Sequence, residues 1–240
     1  YRDKKIVNWD PEAKTTLSNE EVVYKEKTAK LFYLKYKLES SDEFLLVATT
    51  RPETIFGDTA VAVNPNDKRY RKLIGKKLIV PLVNRAVPIV GDNSVDLEFG
   101  TGCLKVTPAH SEKDFEIGLR NNLDIIDVFN DDASLNAYGM HYKSLDRFSV
   151  RKKIINELDE KGLLDRSEDY SHNIALSERT SCVVEPKLST QWFVKMKKLS
   201  KPALELVLNG DIQFYPKKYV KTYKNWLENI RDWNISRQLY

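Results

Sequence analysis

Cysteine, histidine and long apolar runs are all scarce in this sequence, and each shortage removes a class of function. Cys103 and Cys182 are the two thiols in 240 residues, without Cys-x-x-Cys spacing or a nearby ligand cluster. Neither a disulfide framework nor a structural zinc is therefore expected, and both read as small, semi-buried thiols. The three histidines have no metal-ligand spacing, which leaves a metal hydrolase without its parts. No Ser-His-Asp arrangement, His-Glu-x-x-His motif or P-loop occurs. No apolar run approaches the roughly 18 residues of a membrane span, and no signal-peptide pattern opens the chain. A cytoplasmic protein without membrane contact is expected. Repeats and low-complexity tracts are missing too.

What the chain does have is material for a core: 41% of its residues are hydrophobic and 31% charged, enough for one large domain with flanking segments. Its formal charge of +4 is unevenly placed. Residues 181–240 hold eleven Lys/Arg against five Asp/Glu, whereas the remainder carries 28 basic and 30 acidic residues. A basic C-terminal quarter rich in Trp and Tyr suits a phosphate backbone, and a solvated helical face explains it equally well.

Along the chain, Tyr1–Tyr24 offers a Pro-led turn at Asn8-Trp-Asp-Pro11 and a capping-box spacing from Ser18 to Glu21. It lacks the apolar content to form a domain alone. Leu31–Leu38 and Glu43–Thr49 read as two strands of a hairpin across Ser40-Ser-Asp42. Further strands are expected at Thr59–Val63, Lys77–Val83, Ala86–Val90 and Cys103–Thr107. Their spacing favours a compact barrel over a doubly wound sheet. Helices are expected over Glu112–Asn122, and over Val150–Lys161 with Ser149 as cap and Gly162 as stop. Two more follow, at Ala203–Leu208, opened by Ser200 and Pro202, and at Pro216–Ile230. The run from Trp233 to Tyr240 reads as apolar and unfinished, as in a piece cut from a larger protein.

Two segments carry the chemistry. Thr49-Thr-Arg-Pro-Glu-Thr54 joins a strand to a short helical turn, where free backbone N–H groups and the Thr and Arg51 side chains suit a carbonyl, carboxylate or phosphate oxygen. The same spacing also fits a plain helix start, capped by Thr50 and Glu53. Gly100–Asp114 packs a turn, a strand and a helix start into fifteen residues. Lys105 and Thr107, two apart on a strand, share one face, either a cavity wall or a solvent-facing pair. Asp114 reads as a helix-cap acceptor or as a carboxylate that holds an ammonium group. His110 reads as a hydrogen-bonded structural residue before a general base.

Taken together, these residues resemble the editing insertion of the class I aminoacyl-tRNA synthetases, the valyl enzymes in particular. The likeness runs through Val7-Asn-Trp-Asp-Pro11, Ala48-Thr-Thr-Arg-Pro-Glu-Thr-Ile-Phe-Gly-Asp58, and Phe99-Gly-Thr-Gly with Lys105-Val-Thr-Pro-Ala-His110 and Asp114. It continues through Leu176-Ser-Glu-Arg179, Gln191-Trp-Phe-Val-Lys-Met196, Trp226-Leu-Glu-Asn-Ile230 and Asp232–Leu239. Isoleucyl enzymes usually place His where Lys105 stands.

The resemblance implies a mixed, β-rich α/β fold, a barrel-like editing domain with peripheral helices and flanking linkers. Residues 1–29 would lead in from the synthetic body, 30–175 form the editing core, and 176–240 return to that body. It implies hydrolysis of threonine wrongly attached to tRNA(Val), or of threonyl adenylate. Such a sieve is needed because the family's apolar valine pocket rejects isosteric threonine by only about a hundredfold. Asp114 would anchor the substrate ammonium, and Lys105 and Thr107 would shape the side-chain pocket. Thr49, Thr50, Arg51 and Thr54 would orient the ester and terminal adenosine, with Phe99 as an apolar wall. Ser111, where the family usually has Asp, belongs to the threonine-recognition set. A positioned water would attack, with no covalent intermediate and no cofactor. The partner would be the 3′ acceptor end of tRNA(Val), ATP serving only the parent enzyme, and the protein a monomer. No HIGH-like or KMSKS-like signature occurs, so the synthetic site would lie elsewhere. Asn234 and Tyr240 stand where the family tends to have Cys and Trp. The competing readings are an acceptor-end binding module with weak or lost hydrolysis, and an isoleucyl-type editing domain.

Overall fold

The computed structural model describes residues 1–239; the apolar run ends, and the Tyr240 comparison falls, just outside the described residues. In chain order the strands are β1 (Arg2–Asp10), β2 (Thr15–Leu17), β3 (Val22–Leu38), β4 (Phe44–Thr49), β5 (Ala60–Val63), β6 (Lys77–Ile79), β7 (Ala86–Gly91) and β8 (Cys103–Val106). Helices α1 (Glu112–Arg120) and α2 (Arg147–Glu160) follow, then β9 (Leu164–Ser177) and β10 (Glu185–Val194). Helices α3 (Met196–Leu208) and α4 (Tyr219–Glu228) and strand β11 (Trp233–Asn234) close the described chain.

The larger sheet runs β4-β3-β6-β7-β5-β8 and curls until β8 comes back beside β4, where Thr101 Oγ1 donates to the Leu46 carbonyl at 2.6 Å. This is the expected barrel-like, strand-rich α/β architecture. β5 explains how the curl is filled. Its Ala-Val-Ala-Val sequence alternates, sending Val61 and Val63 into a core with Leu34, Tyr36, Phe56 and Ile89, and Ala60 and Ala62 toward Ile117 of α1. α2 seals the main core with Val150, Ile154 and Leu158, all fully buried. Each such side chain contributes about 1.5–3 kcal/mol.

Residues 1–24 form no domain of their own: β1 and β2 join β10 and β11 in a second sheet of order β11-β10-β1-β2. Several expected element bounds are corrected. β3 begins at Val22 and not at Leu31, and it pairs with β9 as a long antiparallel ribbon. β6 stops at Ile79, because the chain then turns through Leu82 and Asn84 at positive φ. The cap of α2 is Asp146, whose carboxylate accepts from the Phe148 and Ser149 amides, so Ser149 lies inside the helix. α3 starts at Met196 and carries Pro202 within it. Gly162 does stop α2, at φ +68°. Among the described residues no helix is long and apolar enough to cross a membrane.

Candidate active site

Strand β4 ends at Thr49, and Arg51, which precedes Pro52, lies outside the helical region at φ −126° and ψ 65°. Pro52 then opens a 3₁₀ turn, Pro52–Gly57, whose every residue is buried. Thr49 Oγ1 accepts from the Arg51 amide at 3.0 Å, and Thr54 Oγ1 donates to the Arg51 carbonyl at 3.0 Å. Threonines brace the two sides of the turn, but no side chain caps it, and the Thr50–Glu53 cap that its spacing suggests does not form. Gly57 is required by close packing, since a Cβ there would lie 2.8 Å from the Ile126 carbonyl oxygen and 3.0 Å from Thr107 Cγ2.

The solvent-facing alternative for Lys105 and Thr107 does not occur; both are buried. Lys105 Nζ donates to Thr54 Oγ1 at 2.7 Å, Asp58 Oδ1 at 2.9 Å and Thr107 Oγ1 at 2.6 Å. All three ammonium protons therefore have acceptors. Thr107 Oγ1 passes its own proton to Asp58 Oδ1 at 2.7 Å, and Tyr36 donates to Asp58 Oδ2 at 2.6 Å. Burial, reinforced by the Asp58 charge, pushes the Tyr36 phenol well up, so it stays a donor.

Asp114 adjoins this network. Its Oδ2 accepts from the Thr107 amide at 2.9 Å, while Oδ1 receives no hydrogen bond from the described residues. Ser111 caps α1 by accepting from the Asp114 amide at 3.3 Å. Burial raises the Asp114 carboxyl above the usual carboxylate range, against the lowering pull of Lys105, the Thr107 amide and Ser111. The open oxygen can accept from water or from a cationic group such as an ammonium.

A second buried network lies behind the turn. Arg51 Nη2 meets both oxygens of Glu185 at 2.6 and 2.8 Å, and its Nη1 donates to the His110 carbonyl at 3.2 Å. Arg147 pairs with the same Glu185. Arg151 grips Glu53 at 2.7 and 2.8 Å. Burial alone would raise the Glu53 carboxyl, but Arg151 and then Arg51 bring it below its ordinary value. His110 accepts from the Val128 amide at Nε2 (3.0 Å) and meets the Phe129 ring edge-on. Burial, with the Arg51 and Lys105 charges, keeps its pKa well below the ordinary value, so the ring is neutral at physiological pH. Both cysteines are free, and burial pushes the Cys103 thiol up to about 11.

The structure thus brings Thr54, Lys105, Thr107, Ser111 and Asp114 into one connected set, with Thr49 at its edge. Arg51 faces inward to Glu185. Thr50 is half-buried on the flank of α2, and Phe99 is exposed, edge-on to Tyr170 at 5.8 Å. Sequence reasoning missed Tyr36, Asp58, Glu53, Arg147, Arg151 and Glu185. Asp58 alone had a signal. A strand lysine flanked by Leu104 and Val106 needs a counter-charge, and Asp58 closes the threonine-rich segment.

The family described as "tRNA synthetases class I (I, L, M and V)" matches residues 1–240. The valine–tRNA ligase of Christiangramia forsetii is 58% identical over 240 residues, all of this chain and 27% of that protein. Those of Bacteroides fragilis and Thermotoga maritima are 55% and 54% identical, again over the whole of this chain. The chain spans 27–28% of the length of these relatives. A solved leucyl enzyme, in the Agrobacterium radiobacter K84 LeuRS-tRNA-LeuAMS complex, aligns with TM-score 0.46 and 19% identity over 72% of this chain and 30% of that one. The chain belongs to the class I tRNA synthetases of the I, L, M and V group, and over its whole length it is similar to a segment of valine–tRNA ligases.

Proposed function

We propose that this chain is the editing unit of a valine–tRNA ligase and hydrolyses threonine from mischarged tRNA(Val), with threonyl adenylate as a further substrate. The observation that carries the reading is the open oxygen of buried Asp114, set against the Lys105–Thr107–Asp58 network. In this reading residues 1–29 and 176–240 connect to the synthetic body, and 30–175 form the editing core.

Asp114 binds the substrate ammonium through Oδ1. The threonine hydroxyl competes with Thr54 Oγ1 for a Lys105 proton and is recognised there with Thr107 and Ser111. A valine methyl offers no acceptor and leaves that proton with Thr54 Oγ1, so valine gains nothing from Lys105 and must shed water from a polar wall without replacing its hydrogen bonds. Thr49, Thr50 and Arg51 shape the turn that orients the ester and terminal adenosine, and Phe99 supplies an outer apolar wall. The ester is already activated, so a held water suffices as nucleophile. The neutral, buried imidazole of His110 already accepts from Val128, so the proton acceptor lies elsewhere, and the candidate is the substrate's own neighbouring ribose hydroxyl.

The test is deacylation of Thr-tRNA(Val) beside Val-tRNA(Val). Loss of threonine alone, reduced at least a hundredfold in Asp114→Asn, is expected. If Thr-tRNA survives while the chain still binds tRNA, the chain is an acceptor-end binding module instead. Faster loss of valine would make it an isoleucyl-type editor.

Asp114 also sets a pH dependence. Because its folded pKa is raised, its ionisation costs stability as pH rises from the ordinary carboxylate value through the folded one. Asp114→Asn is therefore expected to raise Tm at pH 8 and not at pH 3.5. In the unsubstituted chain KM for Thr-tRNA should climb as pH falls through that raised value, since the ammonium needs the carboxylate. A KM that stays flat on acidification down to the ordinary carboxylate range would remove Asp114 from this role.

A further inference from the structure

Beside the threonine-rich turn, between β3 and α2, lies an open groove of about 510 Å³ that none of the roles above uses. Its volume falls in the range of about 300–1,000 Å³ that holds a small ligand. Half-buried Phe32 and Ile155 form its apolar floor, and Thr50 stands at the end nearest the turn. Four of its lining residues are basic and none is acidic.

Two of those cations are uncommitted. Lys27 on β3 and Lys152 on α2 are exposed and, among the described residues, have no carboxylate within salt-bridge distance. Lys30 meets Asp169 at 2.8 Å, with both side chains mostly in solvent, and such a pair is weak. Arg151 differs: its two bonds to Glu53 at 2.7 and 2.8 Å fix α2 against the turn. The groove is therefore a rigid trough with an aromatic floor and two free positive charges on opposite walls. Single-stranded nucleic acid is bound by this combination, its base lying on the apolar surface and its phosphates on the cations.

We infer that the groove takes the nucleotide just 5′ of the terminal adenosine of the tRNA 3′ end, with its flanking phosphates on Lys27 and Lys152. The inference rests on the editing reading for the direction of the strand, because Thr50 is shared by turn and groove. It adds a binding site that lets the enzyme distinguish a tRNA end from a free aminoacyl nucleoside. An apolar floor of this kind takes an unpaired base, whose face must be free to lie on it.

The experiment titrates a labelled single-stranded RNA ending in CCA into the 240-residue chain and into Lys27→Ala/Lys152→Ala, over a range of salt. Kd should rise at least tenfold in the double variant. The slope of log K against log salt should shrink by about 1.4, two phosphates at roughly 0.7 each for a single strand. An abasic penultimate position should weaken binding to the unsubstituted chain as well. An unchanged Kd and slope would overturn the proposal, as would equal affinity for a fully paired RNA. A parallel arm compares hydrolysis of Thr-tRNA with that of a threonyl-adenosine ester, and KM should rise at least fivefold more on the tRNA. If neither ester is cleaved by the unsubstituted chain but RNA binding responds as described, the groove stands and the editing reading falls. An equal KM rise on both esters, with unaltered RNA binding, would assign the lysines to the fold alone.

Discussion

Replacing Glu185 by Ala is expected to destabilise the folded chain by about 3–5 kcal/mol, read as a lower urea midpoint at unchanged slope. Glu185 is almost fully buried on β10 and is the shared counter-ion of Arg51 and Arg147, the latter also buried. Removing it strands the buried Arg147 charge in low dielectric, while half-buried Arg51 keeps only Glu53, and this costs more than the pair itself contributes. The contrast is the double variant Glu185→Leu/Arg147→Met, which fills the space without a stranded charge at Arg147. It should recover more than half of the loss. A double variant no more stable than Glu185→Ala would mean that packing, and not charge, sets the cost. Acid should loosen the neighbouring Arg51–Glu53–Arg151 pairs. Glu53 is held below its ordinary value, so their contribution is complete above the unfolded pKa and is lost as pH falls through the folded one.

Glu185 also shows where sequence reading stops. Local rules identified the β3–β4 hairpin, β5, β7 and β8, the helix start before Asp114 and the Gly162 stop, because each depends on alternation or on one residue's backbone preference. The ribbon of β3 with β9 escaped those rules. Asp165–Asn173 is almost wholly exposed and shows no apolar alternation, so its strand form rests on backbone pairing with Glu26–Tyr33. The cap of α2 moved from Ser149 to Asp146 because both fit the preference and only the observed hydrogen bonds choose. Pro202 suited a first turn, yet the helix runs through it from Met196. Lys105, Thr107 and Asp114 were legible as a group through strand period and helix start. The ions that organise them were not. Arg51 and Glu185 are 134 residues apart, and Glu53 and Arg151 are 98 apart, so no local pattern links them.

Lys105→Met is expected to combine a large functional loss with a stability loss of about 3–5 kcal/mol, and the two can be separated. The substitution keeps the length of the side chain but removes the ammonium that neutralises Asp58, which is wholly buried. Tyr36 and Thr107 still donate to Asp58, yet two hydroxyl dipoles do not balance a full charge in that setting. Adding Asp58→Asn to Lys105→Met removes the stranded charge and should restore at least half of the lost stability. It should not restore function. With no proton left on residue 105 to meet the threonine hydroxyl, Thr-tRNA hydrolysis should stay at least a hundredfold down in both variants, on the scale of losing one preorganised donor. Urea titration and single-turnover deacylation of the same three proteins make the comparison. Hydrolysis that returns together with stability would show that Lys105 serves the fold alone. Hydrolysis that stays low in a restored fold would make Lys105 a direct contact of the substrate.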